Sequence, residues 1–174
     1  MLQARKKNFS EVSLYGVREK DEEAIRYILE HLREEDRHEA IVQCGENYIE
    51  KIIQDIKKSK GFFIIGKRKA DDTPVCMGGC ETSDENGIGV VWLLSTPEVV
   101  NHQICLLKHI KRFIHDFDED YWMLFNTLYK ENELAKKWLT RFGFRFNNPY
   151  GLKMPKDFEL FYRVRKIRKL GEKI

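Results

Sequence analysis

Val90-Val91-Trp92-Leu93-Leu94, followed by Ser95-Thr96-Pro97-Glu98-Val99-Val100-Asn101-His102, is the stretch on which the fold turns. Five apolar residues in succession make a strand of the kind covered on both faces, so it belongs inside a sheet. The run breaks at Ser95, and Ser95-x-x-Glu98 reads as a capping box opening a helix. That helix is long, because Val100, Ile104, Leu107, Ile110, Ile114 and Phe117 recur at spacings of three and four.

On the N-terminal side, two more strands precede this one. Phe62 to Gly66 is a short apolar run. Val75 to Glu81 holds two adjacent glycines, which predict a bulge or a close backbone approach. Before them come a strand over Val12 to Val17 and three helices. The first is capped by Asp21 and carries Ile25, Ile28, Leu29 and Leu32 on one stripe; the second covers Asp36 to Cys44 and stops at Gly45; the third carries Ile49, Ile52, Ile53 and Ile56. On the C-terminal side follow a strand over Tyr121 to Asn126, a helix over Glu131 to Phe142 stopped by Gly143, and strands at Phe144 to Phe146 and Phe158 to Val164. The order β-α-α-α-β-β-β-α-β-α-β-β predicts a mixed α/β domain around one sheet.

The chain has 174 residues, 42% of them apolar and 34% charged, which fits one domain with its own core and excludes collagen-like and disordered classes. No apolar run is long enough to cross a bilayer, so no membrane insertion is expected. The N-terminal MLQARKKNFSEVS has charges with no apolar stretch behind them, so no secretory signal is expected and a cytoplasmic location is the default. Net charge is +3, but Arg163, Arg165, Lys166, Arg168, Lys169 and Lys173 crowd the last twelve residues, leaving 25 basic against 27 acidic groups elsewhere. This basic tail, residues 165–174, can contact phosphates weakly and nonspecifically.

Cys44, Cys76, Cys80 and Cys105 lack the paired spacing of a metal site. Cys76 and Cys80 share a strand face and read as small core hydrophobes. His102, His109 and His115 share the long helix without an accompanying carboxylate set, so no metal is expected.

Asn132-Glu133-Leu134-Ala135 with Gly143-Phe144, together with Arg18-x-x-Asp21, resembles the GNAT family of N-acetyltransferases. The resemblance implies a single GNAT-like domain over residues 1–174, with a mostly antiparallel central sheet flanked by helices. Three stretches are also similar to the phage and prophage family that includes the internal virion protein A of T7-type phages. They are Leu32-Arg33-x-x-Asp36-x-x-Glu39, Val91-Trp92-Leu93-Leu94-Ser95-Thr96, and Leu124-Phe125-Asn126 with Asn132 and Trp138-Leu139; Phe158-Glu159-Leu160-Phe161 fits as well. That similarity implies virion assembly, phage structural or host proteins as partners, and the host cytoplasm or the virion as the location.

The resemblance also sets a test. A GNAT enzyme binds the CoA pyrophosphate on a glycine-rich turn before the helix that follows its fourth strand. Residues 95–102 contain no glycine, Pro97 removes a donor, and Glu98 places a negative charge where a phosphate would sit. The family's general acid, a Tyr seven residues after the helix Asn, is replaced by Leu139. The expectation is therefore a degenerate acetyl-CoA site with no cofactor. The alternative is an N-acyltransferase in which Trp92, Leu94, Ser95, Thr96, Asn126 and Asn132 hold acetyl-CoA and Tyr129, Asp36 and Glu39 carry the proton chemistry. Glu81 is a further candidate base, and capping with a solvated charged face is the plain reading of Glu34, Glu35, Asp36, His38 and Glu39.

Overall fold

The computed structural model describes residues 12–16, 21–59, 61–83, 87–149 and 151–165. Arg18 of the opening motif and residues 166–174 of the basic tail lie outside them. The elements run β1 (Val12–Gly16), α1 (Glu22–Glu30), α2 (Glu34–Cys44), α3 (Tyr48–Lys58), β2 (Phe62–Arg68), β3 (Pro74–Thr82) and β4 (Ile88–Ser95). Then come α4 (Val99–Asp120), β5 (Met123–Tyr129), α5 (Glu133–Arg141), β6 (Arg145–Phe146) and β7 (Phe158–Val164). This is the order read from the sequence. Asp21 does stand at the N-cap of α1, yet its side chain makes no capping bond to that helix.

The strands form one sheet in the order β1-β2-β3-β4-β5-β7-β6. Every neighbouring pair is antiparallel except β4 and β5. Those two are joined by α4, the crossover that parallel neighbours require. Alternation along the strands splits the core between two faces. On one face, α1, α2 and α3 pack Ile28, Leu29, Ala40, Ile53 and Ile56 against Phe63, Ile65 and Met77, with Trp92 and Leu94 of β4 beside them. On the other, α4 and α5 pack Leu106, Ile114 and Trp138 against Leu124, Leu128 and Phe161, with Val91 and Leu93 of β4 beside them. Both faces of β4 are thus covered. Cys76 and Cys80 are free thiols buried in the clusters under α4 and α5, where loss of hydration pushes both up to about 12.

The parallel pairing is short. Ile88, Gly89 and Val90 pair with Met123, Leu124 and Phe125, and beyond them β4 and β5 part. The Asn126 amide donates to the Val91 carbonyl at 3.0 Å and marks the last tie before the gap.

The two glycines of β3 let backbones approach closely. A Cβ on Gly79 would come within 2.2 Å of the Phe62 carbonyl oxygen and 2.6 Å of the Phe63 ring. Backbone cannot yield there without shifting β2. Gly79→Ala is therefore expected to cost about 2–3 kcal/mol of stability, read as a lowered urea midpoint at unchanged m-value. A midpoint equal to wild type would mean that β2 and β3 are not held at this spacing.

Candidate functional site

The gap between β4 and β5 opens into a cavity of about 360 Å³ that reaches both faces of the sheet. Trp92, Leu94, Glu81, Asp55 and Ile56 line it toward α2 and α3. Val91, Leu93, Ile110, Trp138, Leu139 and Phe142 line it toward α4 and α5. Arg33, Asp36, Glu39, Ser95 and Asn132 form one polar part of the lining, beside Gln43, Asn126 and Thr127.

That polar part is one hydrogen-bonded unit. Asp36 lies in the first turn of α2 and is 2% exposed. Its Oδ2 accepts from the Ser95 backbone N–H at 2.9 Å and from the Ser95 hydroxyl at 2.8 Å. Its Oδ1 accepts from the Asn132 amide at 3.2 Å. One carboxylate therefore ties the end of β4 to the N-cap of α5, across the parted strands. Arg33 holds that carboxylate with both Nε and a terminal nitrogen, at 3.2 and 2.5 Å. The same guanidinium reaches the Ser95 hydroxyl at 3.0 Å and the Asn132 carbonyl oxygen at 3.3 Å, while the Arg33 backbone N–H donates to the Ser95 carbonyl at 3.0 Å. Ser95 thus spends N–H, carbonyl and hydroxyl on Arg33 and on Asp36 in the first turn of α2. Asn132 spends its amide on Asp36 and Glu39 and its carbonyl oxygen on the Ala135 N–H as the helix cap.

Glu39 extends the unit by one turn. Its Oε1 accepts from Asn132 at 2.9 Å and from the Tyr129 backbone N–H at 3.3 Å. Burial pushes its carboxyl up to about 7, and the neighbouring Asp36 charge adds to this; the two N–H donors and Arg33 pull the other way and lose. Glu81 is also raised, by burial first and by Asp55 second, with Trp92 opposing.

Several expectations are corrected here. Asp36 is not the cap of α2, which begins at Glu34; it is the bridge across the gap. Ser95 and Glu98 do not form a capping box. Ser95 ends β4 and turns to Asp36, while Glu98 pairs with Arg68 at 2.9 Å and lies 3.4 Å from His102 Nε2. The negative charge at the start of α4 is thus partly offset by Arg68, and repulsion of a phosphate is weaker than the sequence implied. Thr96 does not line the cavity, because its N–H and hydroxyl both donate to the Val75 carbonyl on β3, at 2.9 and 3.2 Å. Tyr129 places its ring against His38 at 4.3 Å and Phe158 at 6.0 Å, away from the lining, and only its backbone meets Glu39. The remaining candidates, Trp92, Leu94, Ser95, Asn126, Asn132, Asp36, Glu39 and Glu81, all line the cavity. Arg33 is the functional residue that sequence reasoning missed as a site. Its signal was present in the Leu32-Arg33-x-x-Asp36 stretch, where an ion pair stands three positions apart, at helical spacing.

No family model matches the chain, and no curated protein does. Solved structures match it closely in shape. A GNAT-family acetyltransferase from Staphylococcus aureus superposes with a TM-score of 0.65 at 18% identity, over 89% of this chain and 99% of that one. An acetyltransferase from Streptococcus agalactiae gives 0.63 at 11% identity, over 88% and 98%. A spermidine N-acetyltransferase from Vibrio cholerae, solved with CoA and spermine, gives 0.63 at 13%, over 90% and 96%. The fold is GNAT-like. No helix among the described residues is long and apolar enough to cross a membrane, and no cluster there would hold a metal ion.

An acyl-CoA, the cofactor this fold implies, does not fit the residues present. The path between the parted strands is spanned by the Asp36 carboxylate and the Arg33 guanidinium. Helix α4 begins three residues after β4 ends, and its opening N–H groups are used in tight bonds: Val99 to the Thr96 carbonyl, Val100 to Pro97, Asn101 to Glu98. No loop remains there to cradle a pyrophosphate. Leu139 supplies an alkyl wall where an acid would stand.

The buried unit carries two stability signatures. Asp36→Ala strands the Arg33 charge and leaves the Ser95 N–H without its acceptor, so a loss of about 3–5 kcal/mol is expected in urea unfolding. Glu39 acts in the opposite sense. Because its folded pKa of about 7 lies above the ordinary 4.5, the unfolded chain releases the proton first as pH rises. Stability is therefore lost between these values and constant above them, by up to about 3 kcal/mol in all. Glu39→Gln should remove that fall, so that the wild type and the variant diverge from pH 4.5 to 7 and run parallel above it. A constant difference across this window would refute the raised pKa.

Proposed function

We propose that this chain is a GNAT-fold protein whose acyl-CoA cleft is closed by its own side chains, and that it acts by binding other molecules instead of transferring an acyl group. The observation that carries the proposal is the Asp36 carboxylate joining Ser95 to Asn132, with Arg33 neutralising it. Two charges at hydrogen-bonding distance inside the fold are costly to separate, so the closure is not a casual side-chain pose. Partners of the kind phage structural or host proteins would provide, in virion assembly, are supported by the sequence similarity alone. None of the similar solved structures links the chain to that phage family.

A second reading is favoured by one specific observation. Glu39 lines the cavity with a carboxyl that titrates near neutrality, which suits a general base for a protonated amine. On this reading the chain is an N-acyltransferase whose Arg33–Asp36 pair must swing aside to admit the cofactor.

Calorimetric titration of the wild type with acetyl-CoA and with desulfo-CoA separates the two. No heat of binding at millimolar ligand is expected. Micromolar binding, followed by amine acetylation that falls at least about a hundredfold in Glu39→Gln, would overturn the binding-only proposal and establish the second reading.

A further inference from the structure

The cavity between β4 and β5 is framed as a window through the sheet. One end is closed where the Asn126 amide reaches the Val91 carbonyl, and the other where Asp36 joins Ser95 to Asn132. Four residue steps of β4 separate these ties, about 13 Å of strand. The Asp36 bridge bars the end next to the start of α4 and leaves the window beside it open. Trp92, Leu93 and Leu94 form one side of the frame, and Thr127 and Leu128 the other.

The two mouths differ in chemistry. Toward α4 and α5 no lining residue of either helix is charged, and Ile110, Phe113, Phe117, Leu139 and Phe142 stand there. Phe62 of β2 closes an aromatic cluster with Phe113 at 5.5 Å and Phe117 at 6.0 Å. Toward α2 and α3 the lining carries Glu39, Asp55 and Glu81. Arg33 is the only cation among the described residues of the lining, and Asp36 holds it. Glu39 is engaged by Asn132 and the Tyr129 N–H, whereas Asp55 and Glu81 form no ion pair with a described residue. Other surface carboxylates are unpaired as well. These two differ because they face one cavity and crowd each other: burial first, and then the Asp55 charge, push the Glu81 carboxyl up. Asp55 is exposed and Glu81 half-buried, so they stand where the cavity meets water.

We infer that the window takes an amphipathic organic monocation, with an ammonium head between Asp55 and Glu81 and an apolar chain or ring passed through the sheet toward α4 and α5. Charge complementarity fixes the sign of the head. A carboxylate or phosphate head would meet three acidic side chains and a cation already spent on Asp36. An ammonium head instead relieves the crowding of the two carboxylates. The far half fixes the body, because a second charge there would be buried among Phe113, Phe117 and Phe142 without a partner. A polyamine, charged along its length, does not suit that half. The inference rests on the reading that this cleft binds without transferring an acyl group.

Calorimetric titration with phenylbutylamine, phenylbutanol and phenylbutyrate tests it, since the three share a body and differ in the head. The amine should bind at least about tenfold more tightly than the alcohol, and the carboxylate should be weakest. Spermine at equal concentration should not displace the amine. The double variant Asp55→Asn, Glu81→Gln should lose about tenfold for the amine and nothing for the alcohol. Neither side chain is in the core, so its thermal midpoint should stay near that of the wild type. Leu139→Phe, which fills the far half, should weaken amine and alcohol alike. Equal binding of amine and alcohol, full amine affinity in either variant, displacement by spermine, or no amine binding at millimolar ligand would each overturn the inference and leave the binding-only reading in place. Acetylation of the bound amine on addition of acetyl-CoA would overturn that reading instead and leave the ligand class standing.

Discussion

Asp36 is where the two halves of this structure meet. Its carboxylate receives the last N–H of β4 on one side and the cap of α5 on the other, and Arg33 supplies the countercharge. The parallel strands β4 and β5 hold each other over only three residue pairs. Past those pairs, the sheet would otherwise be two antiparallel ribbons leaning on separate helices. A hydrophobic filling would restore contact but would not fix direction. A carboxylate with five donor groups around it does, because each bond has a preferred line and each unmade bond inside the fold carries a desolvation cost.

Glu39 then stands in a place where its charge is unwelcome. Arg33 is the sole cation in the unit, and Asp36 takes its closest bonds, at 2.5 and 3.2 Å. The second carboxylate receives two N–H donors and little else, and burial decides the balance. The same residue that makes the unit stable at acid pH therefore loosens it near neutrality. In an enzyme such a group would be a base in waiting. In a closed cleft it is a member of a structural cluster whose charged form burial disfavours.

The element order was legible because each element carries its period on its surface: the apolar run of β4, the threes and fours of α4, the paired glycines of β3. What local reading could not see was partnership at long range. Ser95 stands 59 residues from Asp36 and Asn132 stands 96 from it. Ser-x-x-Glu is the same string whether the Ser caps a helix or ends a strand, and only the approach of α2 decides between them. Thr96 and Tyr129 lie outside the cavity lining for the same reason: each turns toward a neighbour, Val75 or His38, that sequence distance hid. Leu139 and the missing glycines, by contrast, were readable as they stood, since an alkyl side chain has no proton to give in any environment.

Glu98 was to repel a phosphate, yet Arg68, shared with Asp71, partly offsets its charge at 2.9 Å. The obstacle is steric and topological instead. Helix α4 starts after only Thr96-Pro97-Glu98, and the gap between β4 and β5 is crossed by two charged side chains, Arg33 just before α2 and Asp36 in its first turn. Restoring a glycine turn alone would not reopen it, because Asp36 would still hold Ser95. Removing Asp36 alone would not suffice either, because Arg33 would then stand uncompensated in the gap with its backbone still tied to the Ser95 carbonyl. On the proposed reading, a cofactor site of this fold family is obstructed here at two separated places that do not compensate for each other. That is the physical ground of the proposed binding role.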